Sequence, residues 1–395
     1  MRIGTAHAYN ATVESLNGRQ SSLGNLQQQL SSGKKVILAS DDPAAAGRAE
    51  RAKTRIERLQ TEQRALMNQR NSLQQAESAL GQGGSVLQSA RDAILSAGNP
   101  ALSRSDRASL AAAVRGMREQ LLSIANQGDA NGVPLFGGLG SIGAPFVASA
   151  SGVQFAGAAG QMTPSQSNVP YAMDGQNLWM SVPGGNGVFT TSAAAGNTGS
   201  AWADPGQVED PSLLTGHDYE ITFTRSGTTT SFSVQDTTTG STVLPSQPYV
   251  PGQALRFDGL AVSAKGTPAN GDRLQIAPST RGDLFGVLER AANAIETGAP
   301  SLAGDIARAT TELDAGMDRL LAGRSLAGAW LNRADTMESI QLDQSTQHEQ
   351  ARSLAEDIDM VRGISDLQTA QSGLDAAMRT YSQIQGLSLF KYLGG

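Results

Sequence analysis

Residues 365–395 read SDLQTAQSGLDAAMRTYSQIQGLSLFKYLGG, and this stretch decides the fold. Counting from just before it, small and apolar residues recur at Met360, Gly363, Leu367, Ala370, Leu374, Ala377, Tyr381 and Ile384. The steps alternate three and four, which makes a heptad seam on one face of a helix. Only Asp366, Asp375, Arg379 and Lys391 are charged, and the stretch ends in an apolar cluster of Leu387, Leu389, Phe390, Tyr392 and Leu393. A lone helix of this composition is poorly soluble and marginally stable. It needs a partner.

The opposite end of the chain supplies a matching helix. Within residues 3–33, Leu16, Leu23 and Leu30 fall seven apart, with Tyr9, Val13 and Leu26 beside them, and the charges are Glu14 and Arg19. The polar positions are Gln, Asn, Ser and Thr, whereas a surface helix usually carries dense charge. Two such helices at opposite ends are expected to pack on each other. A break follows at Ser31–Asp42, with Gly33 suited to a C-cap, Asp42 to an N-cap and Pro43 to the first helical position.

Inward from the two arms the pattern continues. Leu59, Leu66, Leu73, Leu80, Leu87 and Ile94 repeat every seven residues along a helix expected from Pro43 to about Ala97. Gly81, Gly83 and Gly84 predict a bend within it. A shorter helix follows, capped at Ser103–Asp106 and striped by Leu110, Val114, Met117, Leu121 and Ile124. Past the insert, Asp283 is the expected N-cap of a helix that Gly298–Pro300 ends. A long helix comes next, with Ile306, Ala309, Leu313, Gly316, Leu320, Gly323, Ala327, Trp330, Ala334 and Met337 at heptad spacing. Its small residues suit the leucine seam of residues 59–94.

Between these helices the composition changes. Residues 129–281 are rich in Gly, Ser, Thr and Pro, with alternating runs at Leu178–Val182, Tyr219–Arg225, Thr230–Gln235, Leu255–Phe257, Leu260–Ala264 and Arg273–Ala277. Ser226-Gly227 and Thr239-Gly240 read as hairpin turns. The expected class is therefore α+β: a long antiparallel helical rod or coiled-coil bundle, built from both chain ends and carrying an inserted β-rich domain. Its divisions are 1–42 and 361–395 as terminal assembly arms, 43–128 and 282–360 as the two halves of the rod, and 129–281 as the insert.

Composition narrows the function. The chain has 395 residues, a net charge of −6, 5% aromatics and no cysteine. Charge spread this thinly leaves no nucleic-acid footprint, and without thiols there are no disulfides or thiolate metal sites. No apolar run reaches membrane-spanning length, and MRIGTAHAYN lacks a signal-peptide core. His7, His217 and His348 lie in three separate regions. A phosphate loop at Gly33-Lys34 fails because Gln28 and Lys35 stand where Gly and Ser or Thr are needed. Asp41 and Asp42 read as cap residues, and Glu356, Asp357 and Asp359 as a solvated helix face. No catalytic group, metal or cofactor is expected.

Particular phrases then carry a resemblance. LSSGKK at Leu30–Lys35, SDDPAAAGRA at Ser40–Ala49 and LAGAWLNRAD at Leu326–Asp335 resemble the flagellin superfamily. The last is similar to that superfamily's GARLNR stretch, with Trp330 departing from the usual Arg. PLFGG at Pro134–Gly138 is similar to the YLFGG of hook-associated members, with Pro134 departing. NGDRLQIAP at Asn270–Pro278 is similar to their GDxFxI strand. The ending GLSLFKYL at Gly386–Leu393 differs from the Leu-Leu-Arg type ending of filament flagellins. These three details favour the hook-associated branch.

The resemblance implies a bacterial extracellular structural protein, exported unfolded through the flagellar type III channel without a cleaved signal. It implies a ring-like layer of copies of this chain, with hook-associated protein 1 on one side and flagellin on the other. It also implies a cytoplasmic export chaperone on the C-terminal arm, where Leu374, Tyr381, Ile384, Leu387 and Phe390 would meet it. The expected assembly surface is Leu16, Leu23, Leu30, Leu367, Leu374, Tyr381, Ile384, Leu387, Leu389 and Phe390. The rival readings are a filament flagellin and, from another class, an adhesin or glycan-binding surface protein acting through the insert.

Overall fold

The computed structural model describes residues 2–161 and 168–393, with the side chains of residue 7, residues 9–161 and residues 168–383. Helices α1 (Arg2–Ser32), α2 (Pro43–Ser96) and α3 (Arg104–Ala125) open the chain. The middle holds the hairpin β1 (Phe146–Ser149) and β2 (Gly152–Phe155), a short helix α4 (Gly175–Trp179), and strands β3 (Val182–Pro183), β4 (Phe189–Ala193), β5 (Trp202–Ala203) and β6 (Gln207–Val208). It continues with β7 (Tyr219–Ser226), β8 (Thr229–Asp236), β9 (Thr242–Pro248), β10 (Ala254–Phe257), β11 (Leu260–Lys265), β12 (Arg273–Pro278) and β13 (Arg281–Gly282). Helices α5 (Leu284–Thr297), α6 (Leu302–Glu356) and α7 (Met360–Leu393) close it. The class is α+β, with long helices at both ends and a β-rich middle. The chain divides into two compact units, Met1–Ala65 with Met337–Gly395, and Leu66–Thr336.

The helices begin and end on local chemistry. Asp42 accepts from the backbone N–H of Ala44 and Ala45 at 3.0 and 2.9 Å and so caps α2. Ser103 and Asp106 form a reciprocal capping box on α3. Asp283 accepts from Gly286 N at 2.6 Å to start α5, and Gly298 ends that helix in the left-handed conformation at φ 61°.

In the Leu66–Thr336 unit the leucine seam of α2 meets the small-residue face of α6. Leu66, Leu73, Leu80, Leu87 and Ile94 are all buried, as are Leu313, Leu320, Ala327 and Ala334 across from them. Each fully buried Leu contributes about 1.5–3 kcal/mol before entropy is counted. The ion pairs Arg70–Asp335 (3.5 Å), Arg324–Glu77 (2.6 Å) and Arg91–Asp314 (2.7 Å) run in opposite sequence order, so the pair is antiparallel. Helix α2 continues without interruption through Gly81, Gly83 and Gly84, where the sequence suggested a bend. Gly83 instead permits close approach. A Cβ there would lie 2.9 Å from Trp179 and 3.4 Å from Leu320.

Trp179 is fully buried at the meeting of helices and β elements in this unit. Its ring centroid lies 5.4 Å from that of Phe136, edge-on, and 6.3 Å from that of Phe285, stacked, with Phe146 at 6.5 Å. Phe136 belongs to the PLFGG phrase, so that phrase acts as an anchor. The strand expected at Leu178–Val182 does not form. Leu178 and Trp179 lie on α4, capped by Asp174, because tertiary burial of the indole overrides an ambiguous apolar run.

The remaining β reading is largely met. A five-stranded antiparallel sheet runs β4-β12-β7-β8-β9, and β11 pairs with β10, β5 and β6. Tyr219, Ile221, Phe223, Val234, Leu255, Phe257, Leu274 and Ile276 form its core. Gly227 and Gly240 take positive φ in the two expected hairpin turns. Strands β1, β2, β4, β5, β6 and β9 were not signalled, since short or edge strands carry little alternation. Within the NGDRLQIAP phrase, buried Asp272 accepts from the N–H groups of Thr198, Gly199 and Ala269 at 2.9, 3.0 and 2.7 Å. Trp202, on β5, packs at Gly304 of α6 and lies under Lys265 Nζ at 5.1 Å from the ring.

Two outcomes follow from this packing. Gly83→Ala gains about 1 kcal/mol of helix propensity and loses roughly 1–3 kcal/mol to overpacking against Trp179, so it should destabilise. Gly84→Ala, with open space around it, should stabilise by up to about 1 kcal/mol. Urea melts of the two variants check the opposite signs. The second concerns Asp236, which is pushed up by burial but held down to about 2 by donors from Thr239, His217 and Thr238. A carboxylate depressed in the folded state contributes stability that is complete above its unfolded value near 3.9 and is lost as pH falls through about 2. Thermal melts of Asp236→Asn should therefore lose less stability than wild type across that window.

Candidate functional site: the paired terminal helices

Helices α1 and α7, both in the unit formed by the chain ends, pack along the two low-charge seams. Tyr9 and Tyr381 join them by a hydroxyl–hydroxyl hydrogen bond of 2.9 Å, with ring centroids 5.8 Å apart. Arg19 lies against Gly373, and Leu30 against Gly363. The pairing order 9 with 381, 19 with 373 and 30 with 363 makes them antiparallel. Val13, Leu16, Leu23, Leu26 and Leu30 are half-buried, as are Leu367, Ala370, Leu374, Ala377 and Tyr381. Among α7 residues with described side chains, Gly363 alone is buried, because a glycine lets the Leu30 side chain close on the backbone.

The turns below this pair lock together. Gly33 ends α1 at φ 72°. Its carbonyl accepts from Ile358 N at 3.0 Å, and the Glu356 carbonyl accepts from Lys35 N at 2.7 Å. Lys35 Nζ donates to the Leu354 carbonyl at 2.7 Å, and Lys34 Nζ lies 3.1 Å from the Glu356 carboxylate. The ion pair is partly exposed and worth only about 0–1 kcal/mol. Backbone bonding therefore does more to hold the joint.

Every acidic residue singled out here has a structural task or neighbour. Asp41 accepts from Ile37 N and Leu38 N, and Asp359 from Val361 N and Arg362 N, which starts α7. Glu356 also pairs with Arg352, and Asp357 bridges Lys34 through the backbone. Residues 357–359 thus form a break between α6, which ends at Glu356, and α7, and the solvated helix face expected there is corrected. The missed signal was Asp359 followed by a renewed heptad. Among the described residues no group of His, Cys, Asp or Glu is arranged to hold a metal ion.

Leu16, Leu23, Leu30, Leu367, Leu374 and Tyr381 thus share one seam. The other expected assembly residues, Ile384, Leu387, Leu389 and Phe390, lie outside the described side chains, as do three of the five chaperone-facing ones. What sequence reasoning missed is the apolar surface off the seam. Val361 is 82% exposed and Leu354 79%, and Leu38, Met360, Ile364 and Met378 are exposed as well. Val361, Met360, Ile364 and Met378 all belong to α7, so this helix carries apolar side chains outside its seam with α1.

Two seamed terminal helices, a locked joint and a β-rich middle define an α+β chain built on its paired ends. Residues 3–141 match the bacterial flagellin N-terminal helical region. Over its full length the chain is similar to flagellar hook-associated protein 3. It is 26% identical over 391 residues to that protein of Salmonella typhimurium, covering 99% of both chains. It is 25% identical over 398 residues to that of Escherichia coli, again covering 99% of both. Among solved structures it is similar to the flagellar junction protein FlgL from Legionella pneumophila, with 27% identity, a TM-score of 0.68, and coverage of 73% of this chain and 99% of that one.

Gly363→Leu tests the joint. A Cβ at Gly363 would stand 2.9 Å from Leu30 and 3.0 Å from Ile358, so the larger side chain should cost the α1–α7 pair roughly 1–3 kcal/mol. In the assembled form, amide exchange should then quicken in residues 20–33 and 360–375, while the melting of the Leu66–Thr336 unit stays unchanged.

Proposed function

We propose that this chain is the structural subunit of the junction between flagellar hook and filament. The observation that carries the reading is similarity to hook-associated protein 3 along 99% of both chains, terminal arms and β-rich middle included. A filament flagellin is less supported, since the full-length curated matches are hook-associated protein 3 and the similar solved structure is a flagellar junction protein. The role is structural and needs no catalytic group or cofactor. In this reading residues 1–42 and 361–395 are assembly arms, 43–128 and 282–360 carry them, and 129–281 is an insert. The subunit is exported outward, forms a ring-like layer with its own copies, and meets hook-associated protein 1 on one side and flagellin on the other.

The mechanism couples folding of the arms to assembly. Fixing a residue's backbone costs about 1–2 kcal/mol, and a side chain buried on one face returns only part of that. The half-buried seams of α1 and α7 are in that position. Neighbouring copies that cover Val361, Ile364 and Met378 supply the missing burial, and the Gln, Asn and Ser positions then hydrogen-bond between copies. Before export, a cytoplasmic chaperone covers the arm at Leu374, Tyr381, Ile384, Leu387 and Phe390.

Deleting the gene is expected to leave hooks intact while flagellin accumulates in the medium, and complementation should restore filaments. Filaments on the deletion strain would refute the junction role. Amide exchange should be fast in residues 3–33 and 365–395 of the soluble monomer and slow after assembly. Strong protection of both arms in the monomer would refute coupled folding while leaving the junction role standing.

A further inference from the structure

The β-rich middle holds a cavity of about 360 Å³ that the assembly role does not use. Its walls are apolar, formed by Val188, Leu214, Leu260 and Pro278, and Thr215, His217, Tyr219 and Asp258 converge on it. Its size and its few polar groups among apolar walls are those of a small-ligand site.

The hydrogen bonds fix which polar atoms remain. Tyr219 Oη donates to Asp258 Oδ2 at 2.8 Å, since a carboxylate can only accept. Having spent its proton, Tyr219 accepts from Thr215 Oγ1 at 2.5 Å. Thr215 in turn accepts from His217 N at 3.2 Å. His217 Nδ1 stands 2.7 Å from Asp236 Oδ2, and the Asp236 carboxylate is buried and also accepts from Thr238 N and Thr239 N. A neutral imidazole so placed donates from Nδ1, which leaves Nε2 an acceptor. The Tyr219 hydroxyl is pushed up to about 12, first by burial and then by Asp258 and Asp236, so it stays a donor.

The donors named here are spent, while among the described residues no donor reaches Asp258 Oδ1 or His217 Nε2. No Lys or Arg lines the cavity, and no ion pair to Asp258 occurs among the described residues. Two carboxylates, Asp258 at the cavity and Asp236 behind His217, set a negative potential there. The Asp258-Gly259 turn between β10 and β11 fixes the carboxylate in place, with φ 42° and 75° at its two residues.

We propose that this cavity binds an organic ammonium group on a short apolar stem, with Asp258 as counter-ion and His217 Nε2 as second acceptor. The group is that of a lysine side chain or of a free alkylamine. The apolar walls hold the stem, and the ammonium brings the donors that the site lacks.

The test titrates n-butylammonium into the full-length protein, followed by ligand-observed NMR. Asp258→Asn removes the charge but keeps the turn, because Asn-Gly also suits it, and still accepts from Tyr219. It should weaken binding roughly tenfold or more, the scale of a lost charge-assisted hydrogen bond. Leu214→Trp, which fills the cavity, should abolish binding, and n-butanol should not compete. Unchanged melting shows that each variant is folded. Tighter binding of N-acetyl-lysine amide than of butylammonium would identify a protein side chain as the natural occupant, and equal binding a free amine. No binding, equal affinity in Asp258→Asn, or equal binding of butanol would overturn the proposal.

Discussion

The closure of leucines on glycine and alanine between α2 and α6 is the contact on which the rest depends. Leu80 and Leu87 have no exposed surface, and Leu80 closes on Gly323, which presents no side chain across the seam. A leucine facing a leucine would hold the helices further apart. Close approach also brings Gly83 against Trp179, and the indole then gathers Phe136, Phe146 and Phe285 into one aromatic cluster. Two distant stretches of helix and the start of the β-rich middle thereby share a single core.

The unit formed by the chain ends is built on different terms. Its arms carry similar heptads but bury them only halfway, and they hold few charges that would keep them in water on their own. Their fixed point is the joint at Gly33 and Glu356–Asp359, where backbone groups bond across the two connections. The physical contrast is between a core that closes on itself and a pair of helices that leaves apolar side chains bare. That contrast suits a subunit which must travel alone and then become part of a larger assembly.

Within the β-rich middle, polar residues organise loops. Asp272 collects backbone donors from Thr198 and Gly199, far away in sequence, Asp236 collects those of its own turn at Thr238 and Thr239, and the turns at Gly227, Gly240 and Asp258-Gly259 set strand register. His217 shows how much depends on this placement. It has no neighbour in sequence to suggest a role, and the fold seats it between a buried carboxylate and a cavity.

By itself the sequence determined the helices, the pairing of its two ends, the caps at Asp42, Ser103 and Asp283, and the strands with clear alternation such as β7, β8 and β12. These are properties of periodicity and local hydrogen bonding, which one stretch of chain can carry alone. The phrases LSSGKK, SDDPAAAGRA and PLFGG pointed to a class of protein before any contact was known. Tertiary structure alone decided that Gly83 is a contact point, that Trp179 sits on a helix, and that α6 ends at Glu356. It also decided which apolar residues stay bare, Val361 and Leu354 among them, and where His217 finds Asp236. Each of these depends on what another segment places opposite, and periodicity carries no information about that neighbour.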